Sequence, residues 1–194
     1  EEVRRDMFER INTGSVELVD MEKRRGILQG PFLTLIGELS ENTKFRQLCP
    51  FSEVSIRRKE QEEFVLRFFA YLNNYKNFKR RVNEFLNEYL EQNNNRLDSE
   101  NMTQEFQSML DFVEKNFPNG FSKSKTHSRT PRIRFEAISV GVALALRENP
   151  DLEPESMEWL DSNEFKEYTT SDASNSRPKL IRRVEYVRDQ LLGR

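Results

Sequence analysis

Apolar residues recur along this chain with the spacing of an α-helix. Phe68, Tyr71 and Leu72 follow Phe64 at intervals of four, seven and eight residues, which places all four on one helix face. The same spacing returns in two later stretches: Phe78, Val82, Phe85, Leu86, Tyr89 and Leu90, and then Phe106, Met109, Leu110, Val113 and Phe117. Each stretch predicts an amphipathic helix, and Asp98 or Ser99 is the expected N-cap of the last one.

The most apolar segment, Phe135 to about Leu146, predicts the central helix of the domain. Ala137, Gly141 and Ala145 recur there every four residues, so one side of the helix carries a ridge of small residues. Such a ridge lets a second helix approach closely. Asn149-Pro150 is expected to end the helix, because the residue before a proline avoids helical backbone angles.

A final helix is predicted at the carboxyl end of the chain. Ser176 or Arg177 can cap it, and Pro178 suits its first turn. No stretch of useful length alternates apolar and polar residues with the period of a strand. We therefore predict an all-α fold, a bundle of about eight helices with orthogonal or irregular packing.

Composition narrows the class of protein further. Of the 194 residues, 33% are charged and 36% are apolar, which fits a helical protein with solvated outer faces, and fifteen phenylalanines supply core area. The single Cys49 excludes an internal disulfide and a thiolate metal cluster, and we expect it to be buried. No segment is long and apolar enough to cross a bilayer and no signal peptide is recognisable, so we expect a cytoplasmic protein without a membrane partner.

The chain offers little of the usual catalytic chemistry. His127 is the only histidine, and its neighbours Lys125 and Arg129 would repel a metal cation, so a solvated loop position is expected for it. No serine or cysteine stands near it in a recognisable nucleophile motif, and no glycine-rich phosphate loop occurs. We therefore predict no catalytic residue, no metal site and no cofactor bound by this chain alone.

A basic segment is the first candidate for a binding surface. Lys123, Lys125, Arg129, Arg132 and Arg134 fall within a dozen residues that contain no acid, although the net charge of the whole chain is −2. Cations at this density are suited to gripping nucleic-acid phosphates. The alternative is a flexible loop whose charges are simply solvated.

A second basic run, Arg57-Arg58-Lys59, precedes a helix that begins with acidic residues. Basic residues at a helix N-terminus oppose the macrodipole, so they need a binding or pairing role. Local pairing with the acids of Glu60–Glu63 is the expected explanation.

The first residues contain a polar turn between two helical segments. Arg10, Asn12 and Thr13 offer hydrogen-bond donors suited to a phosphate, and Gly14 can adopt a positive φ. The alternative is a well-capped structural corner in which Glu22 pairs with an arginine. The chain does not begin with methionine, so we expect further residues before it.

At these residues the chain resembles a known family. Phe8, Arg10, Asn12 and Gly14, followed by Leu18, Glu22, Gly30 and Phe32, are similar to the motif that follows the catalytic core in GmrSD-type restriction proteins. These proteins carry a ParB/sulfiredoxin-like N-terminal domain, also called domain of unknown function 262. The segments Arg57–Phe68, Arg132–Gly141 and Ser174–Pro178 resemble the helical half of a short subfamily. The resemblance implies that residues 1–30 are the tail end of the ParB-like domain and that residues 31–194 form a helical domain.

The resemblance also implies a role for each part. Arg10, Asn12, Thr13 and Gly14 would complete the nucleotide pocket of the missing ParB-like domain, with a nucleoside triphosphate and Mg in the full-length protein. The family's Asp-Gly-Gln-Gln-Arg motif and HNH nuclease domain do not occur here, and Gly14-Ser15 replaces the family's two glycines. The implied function is the helical part of a phage-defence or modification-dependent restriction protein. Its expected partners are the ParB-like domain, DNA and a co-encoded nuclease; the alternative is a non-catalytic helical module that binds another protein.

Overall fold

The computed structural model of this chain describes residues 18–79, 81–94, 98–124, 126, 129–170 and 176–194. Its α-helices are α1 (Asp20–Ile27), α2 (Pro31–Ser40), α3 (Thr43–Leu48), α4 (Glu53–Arg57), α5 (Glu60–Asn74), α6 (Val82–Asn93), α7 (Ser99–Asn116), α8 (Arg132–Glu148), α9 (Asn163–Tyr168) and α10 (Arg177–Leu191). Two short 3₁₀ helices cover Tyr75–Asn77 and Glu158–Asp161. These residues contain no strand, so the predicted all-α fold is confirmed. The count of ten exceeds the predicted eight because α3, α4 and α9 are too short to produce a periodic pattern.

Helices α5 and α8 form the centre of the bundle. Helix α8 lies against α10, α5 and α7, and α5 in turn contacts α2 and α6. Phenylalanine rings fill the space between these helices: Phe64 and Phe121 each lie 4.9 Å from the ring of Phe135, and Phe45 lies 5.9 Å from it. Aromatic residues of this size supply the apolar burial that the low apolar fraction of the sequence would otherwise lack.

The small-residue ridge on α8 works as predicted. A Cβ atom added to Gly141 would lie 2.5 Å from Cβ of Val187 and 2.9 Å from the carbonyl oxygen of Val184, both on α10. Because no Cβ atom is present, the two helices pack at a distance that a larger residue would prevent. Helix α8 ends at Glu148, directly before Asn149-Pro150, as expected.

The predicted caps are found among the described helices. The Asp98 side chain accepts a hydrogen bond from the Asn101 amide, and the Ser176 hydroxyl accepts one from the Lys179 amide. Each cap satisfies a backbone donor that has no partner within its helix.

The first turn of α5 is positioned by an unusual backbone conformation. Lys59 adopts φ 60° and ψ 30°, in the left-handed region, and turns the chain sharply between α4 and α5. The turn leaves the carboxylates of Glu60, Glu62 and Glu63 at the positive end of the α5 macrodipole, where negative charge is stabilised. These carboxylates organise the charged residues described below.

Helix α1 packs on the same body as the later helices. Met21 is fully buried in the core, and α1 contacts α5. The part of residues 1–30 that the structure describes thus packs into the helical bundle, and the predicted boundary at residue 30 stays a prediction. None of the described helices is both long enough and apolar enough to cross a membrane.

Candidate functional site

Two adjoining cavities lie where the starts of α5 and α8 meet. The inner recess, of about 320 Å³, is lined by Val19, Ser52, Val54, Ser55, Arg58, Glu60, Glu63, Arg129 and Arg132. The outer recess, of about 490 Å³, is lined by Lys123, Arg129, Thr130, Pro131, Arg132, Ile133 and Thr169. Arg129 and Arg132 border both cavities, and we call the two together the basic cleft.

Backbone hydrogen bonds hold the wall of the basic cleft in place. The amide of Thr130 donates to the carbonyl of Pro50 over 3.1 Å, and the amide of Phe121 donates to the carbonyl of Leu48 over 3.0 Å. Gly120 permits this approach, because it has a φ of 54° and an added Cβ would lie 2.6 Å from the Leu48 oxygen. The segment that carries Arg129 is thus tied to the connection between α3 and α4.

Two arginines converge on one carboxylate at the centre of the basic cleft. Nη2 of Arg129 donates to Oε1 of Glu60 over 2.8 Å, and Nη2 of Arg132 donates to the same oxygen over 3.1 Å. The side chain of Glu60 is 13% exposed, whereas those of Arg129 and Arg132 are 63% and 41% exposed. Arg132 also lies 3.8 Å from Glu63 through Nη1, and both partly exposed guanidinium groups keep donors that face solvent.

The acids of the basic cleft are held in their charged form. Burial disfavours the Glu60 carboxylate, but hydrogen bonds from Ser55 and Arg129 and the charges of Arg129 and Arg132 outweigh it and lower its pKa. Burial likewise acts against the Glu63 carboxylate, and the charges of Arg67, Arg132 and Arg24 prevail and lower its pKa. Both carboxylates are therefore ionised at neutral pH.

A buried ion network extends into the bundle from Glu63, which lines the inner recess. Arg67 lies 2.9 Å from Glu63 and 2.7 Å from Glu136, and Arg183 of α10 pairs with the second oxygen of Glu136. Arg24 of α1 lies 3.5 Å from Glu63. Burial disfavours the Arg67 cation, but the charges of Glu136 and Glu63 raise its pKa, so it stays charged. The network connects α1, α5, α8 and α10 and is structural in character.

Only part of the basic segment that was predicted from the sequence lies on one surface of the structure. Lys123, Arg129 and Arg132 line the outer recess together. Arg134 does not line the outer recess, because it is buried, its Nε donates to the Ser122 carbonyl over 3.2 Å, and its guanidinium lies 4.8 Å from the Phe165 ring. Its predicted place in a nucleic-acid surface is therefore wrong. Lys125 lies outside the described residues, as does His127.

The opening motif is also outside the part of the chain that the structure describes. Arg10, Asn12, Thr13 and Gly14 all belong to residues 1–17, so their predicted role in a nucleotide pocket stays a prediction. The described chain begins at Leu18, and Val19 already lines the inner recess. Glu22, the proposed partner of an arginine, accepts a hydrogen bond from the Val19 amide over 2.9 Å and so caps α1.

Local pairing of the run Arg57-Arg58-Lys59 is confirmed for Lys59, which lies 3.7 Å from Glu62. Glu62 is bound more closely by Arg25 of α1, at 2.8 Å from Nη2. Arg58 instead lines the inner recess. Glu62 and Glu63 are buried, and they also take partners from other helices: Arg25 binds Glu62, and Arg24 lies 3.5 Å from Glu63.

Glu60 is the residue of the site that sequence reasoning missed. It belongs to a run of acids on a charged helix, and its arginine partners stand 69 and 72 residues later in the chain. Cys49 is buried as predicted, and its burial raises the pKa of its thiol. Among the described residues, no group of three or more His, Cys, Asp or Glu side chains could hold a metal ion.

Comparison of the chain with protein-family models, with curated proteins and with solved structures finds no match. Any assignment of function therefore depends on the residues of the basic cleft and on the sequence resemblance.

Proposed function

We propose that this chain is the helical part of a phage-defence or modification-dependent restriction protein and that it contacts DNA through the basic cleft. The observation that carries the proposal is the convergence of Arg129 and Arg132 on the single carboxylate of Glu60, beside a concave surface that also includes Lys123. Positive charge exceeds negative charge there, although the chain as a whole is slightly acidic. Phosphate groups of a nucleic acid are the ligands that such a surface attracts.

The start of α8 adds to the attraction of the outer recess for anions. Thr130, Pro131, Arg132 and Ile133 line the recess at the helix N-terminus, and Pro131 provides no side-chain cap for the first amides of α8. Uncapped amides and the positive end of the macrodipole favour a negatively charged group. Phosphate contacts of this kind position a protein on DNA without reading its sequence.

The proposed partners follow from the resemblance. A ParB-like domain would precede the helices and supply a pocket for a nucleoside triphosphate with Mg, to which Arg10, Asn12, Thr13 and Gly14 would belong. A co-encoded nuclease would be a further partner, in the cytoplasm.

The test compares charge-reversed variants in a DNA-binding assay. We expect Arg129→Glu together with Arg132→Glu to weaken binding of a duplex at least tenfold, because two phosphate contacts are lost and repulsion is added. Arg81→Glu is the matched control, since Arg81 is an exposed arginine paired with Glu84 and lines neither recess. Equal affinity of the double variant and the wild-type chain would overturn the DNA-contact proposal.

A second candidate function is supported by two exposed apolar residues of α4. Val54 and Ile56 are 56% and 40% exposed, and they are the large apolar side chains that the described residues leave most open to solvent. Large apolar side chains that are open to solvent can form part of a protein-binding surface. If the chain is a protein-interaction module, Ile56→Ser, at a residue that lines neither recess, will weaken association with the co-encoded partner and leave DNA affinity unchanged.

A further inference from the structure

We propose that the inner recess binds a terminal phosphate, a phosphate monoester at the end of a nucleic-acid strand, which replaces the Glu60 carboxylate on Arg129 and Arg132. The inference rests on the proposed contact with DNA, and it specifies the chemical group of the nucleic acid that the recess binds. The shared chemistry is that of a dianionic phosphate, whether it comes from a strand end or from free inorganic phosphate.

The charges of the site favour a dianion over a monoanion. Arg58, Arg129 and Arg132 line the inner recess with Glu60, so these cations carry two positive charges beyond what Glu60 neutralises. An internal phosphodiester has a single negative charge, so its binding leaves one of these positive charges without a counter-charge. A terminal phosphate carries about −1.5 to −2 at pH 7 and neutralises most or all of the excess. It also supplies three acceptor oxygens, enough for the donors of two arginines.

The lining of the inner recess fits a phosphate in both size and chemistry. Its volume of about 320 Å³ holds a phosphate together with part of a sugar. Arg58 adds a third guanidinium, and Ser52 and Ser55 add hydroxyl groups on the same wall. Val54 provides an apolar surface beside them, suited to the non-polar edge of a sugar or base.

The second acid of the recess does not cancel this positive charge. Glu63 lines the recess, but Arg67 lies 2.9 Å from it and Arg24 lies 3.5 Å from it on its buried side. Arg132 also lies 3.8 Å from Glu63, but the two buried arginines offset the negative charge of Glu63 without drawing on the other cations of the recess. Among the described residues that line the recess, Arg58, Arg129 and Arg132 are the cations.

Glu60 has a position to occupy when the arginines leave it. Ser55 lines the recess together with Glu60, and the Ser52 hydroxyl donates to the Ser55 hydroxyl oxygen over 3.0 Å, so the Ser55 proton is available to an acceptor in the recess. The Glu60 carboxylate can accept this proton in a hydrogen bond when Arg129 and Arg132 turn to a phosphate. Glu60 would therefore hold both arginines in place before binding and compete with the ligand during it.

The experiment measures the affinity of short single-stranded oligonucleotides at pH 7.5 by fluorescence anisotropy. The oligonucleotides are identical except for a 5′-phosphate, a 3′-phosphate or hydroxyl groups at both ends. We expect at least one phosphorylated strand to bind about fivefold or more tightly than the strand without a terminal phosphate, since an additional charge-assisted contact is formed. Arg129→Gln together with Arg132→Gln should remove that preference.

The Glu60→Gln variant tests whether Glu60 competes with the phosphate for the two arginines or supports the structure of the site. The amide keeps the shape of the side chain but removes its charge, so the phosphorylated strand should bind more tightly than it binds the wild-type chain. Glu105→Gln is the matched control, because Glu105 pairs with Arg147 away from both recesses. Thermal melting of each variant verifies folding, and a Glu60→Gln chain that is folded but binds more weakly would overturn the competitive role.

A pH series on the wild-type chain needs no variant. Between pH 7.5 and 5.5 a phosphate monoester, with a second pKa of about 6, loses most of its second charge. The groups that face it from each neighbouring element are Arg58, Glu60, Glu63, Arg129 and Arg132, with Arg24 and Arg67 behind Glu63. Glu60 and Glu63 have lowered pKa values and stay ionised in this range. The preference for a terminal phosphate should therefore decrease because the phosphate itself becomes protonated.

The outcomes distinguish the inference from the function on which it rests. Equal affinity for phosphorylated and unphosphorylated strands, with both weakened by Arg129→Glu and Arg132→Glu, overturns the inference and leaves the DNA contact standing. No binding of any strand overturns both. If inorganic phosphate competes with the strand at an equal molar affinity, the recess recognises free phosphate, and the assignment to a strand end is wrong.

Discussion

Glu136 of α8 is the residue on which the buried charges of the bundle depend. It lies 2.7 Å from Arg67 through one oxygen and pairs with Arg183 through the other. All three side chains are more than nine-tenths buried. A buried cation that loses its partner cannot recover its hydration, so the cost of breaking such a pair exceeds the net gain from forming it.

We predict that Glu136→Gln lowers the free energy of unfolding by about 3–5 kcal/mol, because Arg67 and Arg183 then share no buried carboxylate. The measurement is chemical denaturation followed by circular dichroism. Glu105→Gln, at a surface pair with Arg147, should change stability by about 1 kcal/mol or less. Equal effects of the two substitutions would contradict the proposed importance of the buried network.

The lowered pKa of Glu63 predicts how stability depends on pH. A carboxyl group whose folded-state pKa lies below its unfolded value stabilises the protein above the unfolded value, about 4.3 for glutamate. That stabilisation is lost as the pH falls through the folded-state pKa. The denaturation midpoint should therefore decline below about pH 4.3. The Glu63→Gln variant should decline less steeply over the same range; parallel curves would show that Glu63 contributes nothing to the acid sensitivity.

At the scale of the elements, the contact between α8 and α10 is set by one missing Cβ atom. We predict that Gly141→Ala destabilises the protein by about 1–3 kcal/mol through overpacking against Val187, although alanine favours a helix more than glycine does. Combining it with Val187→Gly, which removes the Cβ atom that lies closest, should recover part of the loss, which a double-mutant cycle measures. Strictly additive effects would mean that the two residues do not constrain each other.

Helix features that depend on neighbouring residues could be predicted from the sequence, whereas short helices could not. The ridge of Ala137, Gly141 and Ala145 and the caps Asp98 and Ser176 could be predicted, because each depends on residues within one or two turns of helix. The helices α3 and α4 could not, since α3 has six residues and α4 has five, too few for a period to be recognised.

Arg134 shows why a cluster of charges in the sequence does not predict a shared surface. It stands two residues after Arg132, a rotation of about 200° around a helix, so the two side chains point to nearly opposite sides. Arg132 consequently faces the basic cleft, whereas Arg134 lies over the Phe165 ring inside the bundle. Their separation in space follows from the register of α8, and the start of that helix at Arg132 was not predicted.

The basic cleft itself is a property of the whole molecule. Its walls come from the α3–α4 connection, the start of α5 and the start of α8, and Glu60 meets Arg129 and Arg132 only after these segments pack. The sequence supplied two of the arginines as candidates but not the acid between them. Contacts between residues about 70 positions apart depend on the tertiary fold, which the helical pattern alone does not determine.

The proposed ParB-like domain permits a prediction on the full-length protein. Asn12→Ala should reduce nucleotide hydrolysis without lowering the melting temperature, if Asn12 belongs to the nucleotide pocket. The measurement pairs a phosphate-release assay with a thermal melt of the same preparation. A lower melting temperature with full specific activity would instead favour a structural corner.

The most direct test of the account is the salt dependence of DNA affinity. For the wild-type chain and for Arg129→Gln together with Arg132→Gln, the logarithm of the association constant is measured against the logarithm of salt concentration. Each phosphate contact contributes about 0.9 to the slope on duplex DNA, so the double variant should lose about two units of it. A slope equal to that of the wild-type chain would contradict the claim that the basic cleft holds the DNA.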